Sequence, residues 1–469
     1  MRIACGVFGG VAVIALLASQ AEAKVVKVDV QSRTPMAGSF GSAGAYELIT
    51  GRFFGELDPK DPKNAIITDL SRAPRNARGV VEYSATFQIA KPVDMAKASG
   101  FLFYNVPNRG NGRANADPEG HVRVVSGWQG DIPPTANLQT ATVPLAKGVT
   151  GPVEVRFVDM PAGSKSLAIR GGLGAGVALS HPLSMDSAKA QLIKRPSDDQ
   201  PGTPIPASDF AFADCSATPF PGKPDPSKLC VKGGFDPAYA YELRYIAKDP
   251  PVLGIGFAAT RDLNEFLRYS AGTPAAPNPV AGKVKWTIAV GVSQSGNYLR
   301  SFTNLGFNQG EGGKQVFDAI NPQIAGRHVP LNVRFAVPGG ASGMYEPGSE
   351  GVLWWSKYDD RARHLPAASL LDRCTASHTC PKVFEIFGST EFWGLRMSPN
   401  LVGTDADRDI PLPANVRRYY FPSVTHGGGR GGWEVLPRNA PGSGPCVLPA
   451  NPNPTSEQLR ALQRALEEW

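Results

Sequence analysis

Cysteine and histidine are scarce in this chain, with six of each in 469 residues. A dense disulfide scaffold and a multi-histidine metal centre are therefore both excluded. The nearest approach to a metal motif is Cys374-x3-His378-x-Cys380, which has no evident fourth ligand. Charged residues make up only 19% of the chain, and the net charge of +7 comes from scattered lysines and arginines rather than a tract. With no basic stripe and no aromatic-basic interleaving, nucleic acid is not an expected partner. Beyond the N-terminus no apolar run is long enough to cross a bilayer. Gly172-Leu173-Gly174-Ala175-Gly176 lacks the G-x-G-x-x-G spacing of a dinucleotide loop.

What the chain does have is glycine and proline, 52 and 43 residues, spread along its length. They predict many turns and long ordered loops. The apolar share of 42% is that of a globular protein with a large core. The first residues read as a leader: Arg2, an apolar stretch over 3–18, and Ala21-Glu22-Ala23 as an A-x-A cleavage site. Cleavage after Ala23 predicts an exported, soluble mature protein, periplasmic or secreted. Cys5 leaves with the leader. In an oxidising compartment, spacing pairs Cys215 with Cys230 and Cys374 with Cys380, and leaves Cys446 over.

The pattern along the chain is strand-rich at first. Alternation at 25–30 and 79–89, and apolar runs at 100–106 and 122–126, predict strands. Residues 132–250 read as an insertion of further strands, and 325–380 as a loop-rich cap region. The latter carries an aromatic group, Tyr345, Trp354, Trp355 and Tyr358, expected in the core or along an apolar pocket. Helical spacing appears at 254–269, 294–307 and 456–469, and strands at 283–290, 316–320, 382–387 and 416–421. Strands alternating with helices predict an α/β protein with a mainly parallel central sheet flanked by helices.

The segment 286–300 holds the chemistry. An apolar β-branched run ends in Gly291-Val292-Ser293-Gln294-Ser295-Gly296, and a helix pattern follows at once. Strand, sharp turn and helix with a serine at the apex form a nucleophile elbow. The turn demands small residues two before and two after the nucleophile. Gly291 and Ser295 meet that around Ser293, whereas Ser295 as nucleophile would put Asn297 there. A serine hydroxyl needs a base, and the base an orienting acid. His426 is the histidine that follows every strand of the sheet, on a Gly-rich loop able to swing over Ser293. Glu391, just past the 382–387 strand, is the expected acid, with Asp405, Asp407 and Asp409 as competitors. Glu385 lies inside that strand and is expected to face elsewhere. The oxyanion donors would be the amide of Gln294 and that of Arg109 or Gly110. Trp128, Gln129 and Trp393, on loops that end strands, are candidate substrate contacts. No metal or organic cofactor is required by such chemistry.

These pieces resemble a bacterial family of α/β-hydrolase domain proteins. The resemblance rests on G-A-Y-E-L-I-T-G-R at 44–52, G-V-V-E-Y-S-A at 79–85, V-P-N-R-G at 106–110 and S-G-W-Q-G-D at 126–131. It continues in G-F-D-P-A-Y-A-Y-E-L at 234–243, G-V-S-Q-S-G at 291–296, G-S-T-E-F-W at 388–393 and V-T-H-G at 424–427. It implies an α/β-hydrolase fold over 24–469, with Ser293, Glu391 and His426 on the triad motifs. The expected activity is hydrolysis of a small-molecule carboxylic ester through an acyl-enzyme. Acyl transfer by the same triad, and a non-catalytic binding protein on the same fold, are the alternatives. The chain departs from the family in a short 110–122 segment and in ending at Trp469.

Overall fold

The computed structural model describes residues 24–469 except 159, 170–179, 198, 337, 339–350, 407, 430 and 432–450. The leader at 1–23, the Gly172–Gly176 loop, Tyr345, Asp407 and Cys446 lie outside the described residues.

A ten-stranded sheet organises the molecule. Its main strands are β1 (Val25–Pro35), β2 (Tyr46–Leu57), β3 (Val81–Pro92), β4 (Phe101–Asn105), β5 (Val122–Ser126), β6 (Trp286–Val292), β7 (Ala319–Gln323), β8 (Lys382–Gly388) and β9 (Val416–Phe421). Their spatial order is β1-β2-β3-β5-β4-β6-β7-β8-β9. From β5 to β9 all neighbours run parallel. From β1 to β5 they run antiparallel. The expected mainly parallel sheet is thus a mixed one. The long antiparallel flank includes β2, whose alternation turns Ile49, Phe53 and Leu57 to one buried face. The expected strand at 316–320 instead spans Ala319–Gln323. Val316 and Phe317 are buried in the turn that leads into it, so their apolar character reports core contact rather than strand pairing.

Helices are few. Period-two alternation sends Leu102 and Tyr104 of β4 to one face of the sheet and Phe103 to the other. The first face is covered by α1 (Ile255–Tyr269) and α2 (Gln294–Asn304), through Phe257, Leu263, Tyr298 and Phe302. The short α3 (Ser389–Trp393) follows β8 directly. On the other face, α4 (Ser456–Glu468) lays Leu466, Leu462 and the adjoining Trp469 against Phe103, Ile288 and Phe384.

The described strands between 150 and 248 form separate antiparallel sheets. One contains Thr150–Phe157, Gln191–Arg195 and Ala240–Lys248; the other contains Ser166–Ala168, Phe210–Asp214 and Lys223–Val231. They have a core of their own that includes Phe157, Leu192, Phe210, Leu229 and Leu243. Disulfides join Cys215 to Cys230 and Cys374 to Cys380. The second consumes both thiols of the Cys-His-Cys motif, so it cannot supply thiolate ligands. In the cap region Trp354 and Trp355 are buried. Trp354 meets Tyr358 edge-on at 4.5 Å, so these described members of the aromatic group are part of the packing. No helix among the described residues is long and apolar enough to cross a membrane.

Candidate active site

Three of the parallel strands end at the same edge of the sheet, and each delivers one polar side chain. Ser293 follows β6, Glu391 follows β8 and His426 follows β9. His426 Nε2 lies 2.8 Å from Ser293 Oγ, and His426 Nδ1 lies 2.6 Å from Glu391 Oε1. Hydroxyl, imidazole and carboxylate thus form one hydrogen-bonded relay across 133 residues of sequence.

The elbow is locally strained. Ser293 has φ 60° and ψ −120°, a conformation that L-residues adopt at a cost of about 1–3 kcal/mol. Its amide donates to the Gln323 carbonyl at 2.9 Å, and its carbonyl accepts the Asn297 amide at 3.0 Å, so strand β7 and helix α2 both hold it. A Cβ on Gly291 would stand 2.2 Å from the Ser295 carbonyl oxygen. One on Gly296 would stand 2.5 Å from Ala325 Cβ. The turn therefore needs bare backbone at Gly296 as well as at Gly291.

The acid is fixed by its own turn. Glu391 is fully buried, and its second oxygen accepts the Gly388 amide at 2.7 Å. Asp405 instead accepts from the Tyr358 hydroxyl at 3.0 Å. The histidine loop is held rather than free to swing. The His426 amide donates to Thr390 Oγ1 at 3.2 Å, and the Ser423 amide to Ser389 Oγ at 2.9 Å. The side-chain amides of Asn451 and Asn453 both donate to the Ser423 carbonyl, at 2.7 and 2.9 Å.

Beneath the relay, Glu385 is buried between Arg300 of α2 and Arg418 of β9. Burial raises its carboxyl pKa, but Arg418 and Arg300 outweigh that and hold it below the usual range. This ion triad ties the helix behind the serine to the strands that carry the acid and the histidine.

Gln294 opens α2, so its amide sits at a helix N-terminus, where N–H groups face an incoming negative charge. Asn108 Nδ2 donates to the Val292 carbonyl at 3.2 Å, which puts the loop of Arg109 (φ 50°) and Gly110 (φ 77°) beside the elbow. A cavity of about 280 Å³ opens at Ser293 and His426, walled by Asn297, Ile324, Gly326, Arg327, Thr390 and Leu395. Arg327 donates through Nε and Nη2 to the Leu395 carbonyl, each at 3.2 Å. These wall residues come from separate segments with no shared motif. Asn297, one turn beyond Ser293 on α2, and Thr390, within G-S-T-E-F-W, are the wall residues that had a signal in the sequence.

The three expected substrate contacts do not line this cavity. Trp128 is buried, donates Nε1–H to the Pro107 carbonyl at 2.7 Å and packs on Tyr298 with ring centroids 4.5 Å apart. Its large ring serves the core and braces the loop that leads to Arg109. Gln129 is buried too and donates to Asp131 at 3.1 Å. Trp393 is the opposite case, 74% exposed at the end of α3 and in edge contact with Phe392.

Strand-end placement and the elbow define an α/β-hydrolase-type site. Residues 207–469, more than half of the chain, match the family described as alpha/beta hydrolase domain, and the chain belongs to that family. No curated protein and no solved structure matches it.

Proposed function

We propose that this protein is an exported serine hydrolase that cleaves carboxylic esters. The relay from Glu391 Oε1 through His426 to Ser293 Oγ, with links of 2.6 and 2.8 Å, carries this reading. Ser293 Oγ–H donates to His426 Nε2, and His426 Nδ1–H donates to Glu391. As Oγ attacks the acyl carbon, its proton passes to Nε2. Glu391 holds the tautomer and offsets the imidazolium charge. The oxyanion receives the Gln294 amide and one amide from Arg109 or Gly110, each such donor being worth about 2.7–4 kcal/mol in the transition state. Collapse of the intermediate expels the alcohol, which takes the proton from Nε2. Water then repeats the sequence on the acyl-enzyme and frees Ser293. The A-x-A leader and the two disulfides support export.

A fluorophosphonate probe tests the reading directly. Labelling of Ser293 in the folded protein, lost in Ser293→Ala, together with turnover of a p-nitrophenyl ester series of graded chain length, is the expected result. Folded protein that is neither labelled nor active on any member of the series would defeat it.

A further inference from the structure

At the opposite end of the parallel strands, three side chains converge on one point. Glu119 and His121 come from the segment just before β5, and Glu467 from the last turn of α4. His121 Nε2 lies 3.1 Å from Glu119 Oε2 and 3.4 Å from Glu467 Oε1. The candidate ligand atoms of all three residues lie within 4.8 Å of one another. The side chains of His121 and Glu467 are only 3% and 5% exposed, so two of the three are withdrawn from water.

The ring is aimed. His121 packs between Phe101 and Phe103, at 5.6 and 4.9 Å between centroids. Its Nδ1 lies 2.8 Å from Ser99 Oγ. That oxygen also accepts the Phe101 amide, and with two lone pairs it can accept Nδ1–H as well. Without an ion, Ser99 Oγ–H can instead donate to Nδ1 while Nε2–H donates to the carboxylates. A cation at their common centre displaces the Nε2 proton to water, and Nδ1–H then turns to Ser99 Oγ. Orientation of a ligating imidazole through its other nitrogen is the usual support for a metal-bound histidine.

The spacing fits a particular class of ion. Zinc bonds of about 2.1 Å in a tetrahedron give ligand–ligand edges of about 3.4 Å, against the observed 3.1 and 3.4 Å. Two carboxylates and an imidazole suit zinc, with water in the fourth position. Arg464 Nη1 now spans the carboxylates, 2.8 Å from Glu119 and 3.3 Å from Glu467. Its side chain is 58% exposed and can swing outward. Gln463 also donates to Glu467 Oε1 at 3.0 Å, a bond compatible with a ligating carboxylate.

We propose that Glu119, His121 and Glu467 bind one divalent cation of the zinc class, and that it clamps α4 to the sheet. The site is separate from the ester chemistry. Phe101 pairs with Trp286 in parallel register, and Ser293 lies about 20 Å further along at ~3.3 Å per residue.

The test titrates the chelator-washed full chain with ZnCl₂ by calorimetry and thermal melting. One equivalent bound with a raised Tm is expected. CoCl₂ should give the intense visible bands of tetrahedral cobalt. His121→Ala and Glu467→Gln should weaken binding at least tenfold. So should Glu119→Gln, a change at a half-exposed position that spares the fold. Turnover of p-nitrophenyl esters should stay at the wild-type level in that variant. Zinc binding equal in wild type and Glu119→Gln, or no binding because the group is an imidazole–carboxylate bridge only, overturns the proposal.

Discussion

The amide of Gly388 donates to Glu391 Oε2 at 2.7 Å, so the carboxylate is anchored by the turn that carries it. Only the other oxygen, Oε1, is turned toward His426. Anchoring and orienting are thus split between the two oxygens of one buried group, and they can be separated by mutation.

Glu391→Gln keeps an oxygen for the Gly388 amide and removes the charge that fixes the imidazole tautomer. Folding should be preserved while kcat on a p-nitrophenyl ester falls by about 10⁴-fold, the loss seen when a triad acid becomes an amide. Melting curves and kcat measured together check this. A fall of less than about tenfold would remove Glu391 from the relay.

Gly296→Ala would force a methyl group to within 2.5 Å of Ala325 Cβ and 2.9 Å of the Gln323 carbonyl. Overpacking of this kind costs about 1–3 kcal/mol. Because Gln323 also receives the Ser293 amide, activity should drop with stability. Urea midpoints and probe labelling of the same variant would show both effects.

Glu385→Ala would leave Arg300 and Arg418 facing each other without their shared carboxylate. Removing one member of a buried ion group typically costs about 3–5 kcal/mol. The expected result is a large loss in the chemical denaturation midpoint. An unchanged midpoint would mean that water solvates the two guanidinium groups.

His328 is held neutral by burial, its pKa lowered from 6.5 to about 4. Its Nε2–H donates to the Val352 carbonyl at 2.6 Å, and its Nδ1 pairs with the Ser301 hydroxyl at 3.1 Å. Between pH 6.5 and 4 the unfolded chain binds this proton and the folded one does not. Stability from this group is therefore complete above pH 6.5 and is lost as pH falls to about 4, by about 3 kcal/mol. Glu265, raised by burial from 4.5 to about 7, acts with opposite sign between those values. The difference between wild type and His328→Gln in urea midpoint across this range isolates the histidine. The gap should narrow toward pH 4, and a constant gap would refute the assignment.

The elbow was legible because it is local. A tight turn between a buried strand and a helix restricts residue size within a few positions, so 291–296 betrays itself in the sequence. The disulfide pairs were legible for the same reason of short separation. For Trp128 the sequence leaves a pocket wall and a core position equally open, because a strand-end tryptophan does not say which side its ring takes. Packing on Tyr298 decides that. The mixed character of the sheet was hidden too, since alternation marks a strand without giving the direction of its neighbour. The cavity walls at Ile324, Arg327 and Leu395 had no signal at all, because side chains from separate segments become a surface only when the chain closes.

By itself the sequence determined that a serine would stand at a strained bend with small neighbours, since sterics within one turn allow little else. Only the tertiary structure decided which acid meets His426, and that the histidine loop is held in place over the serine. Hydrogen bonds between strand ends far apart in sequence exist only once β6, β8 and β9 lie parallel in one sheet.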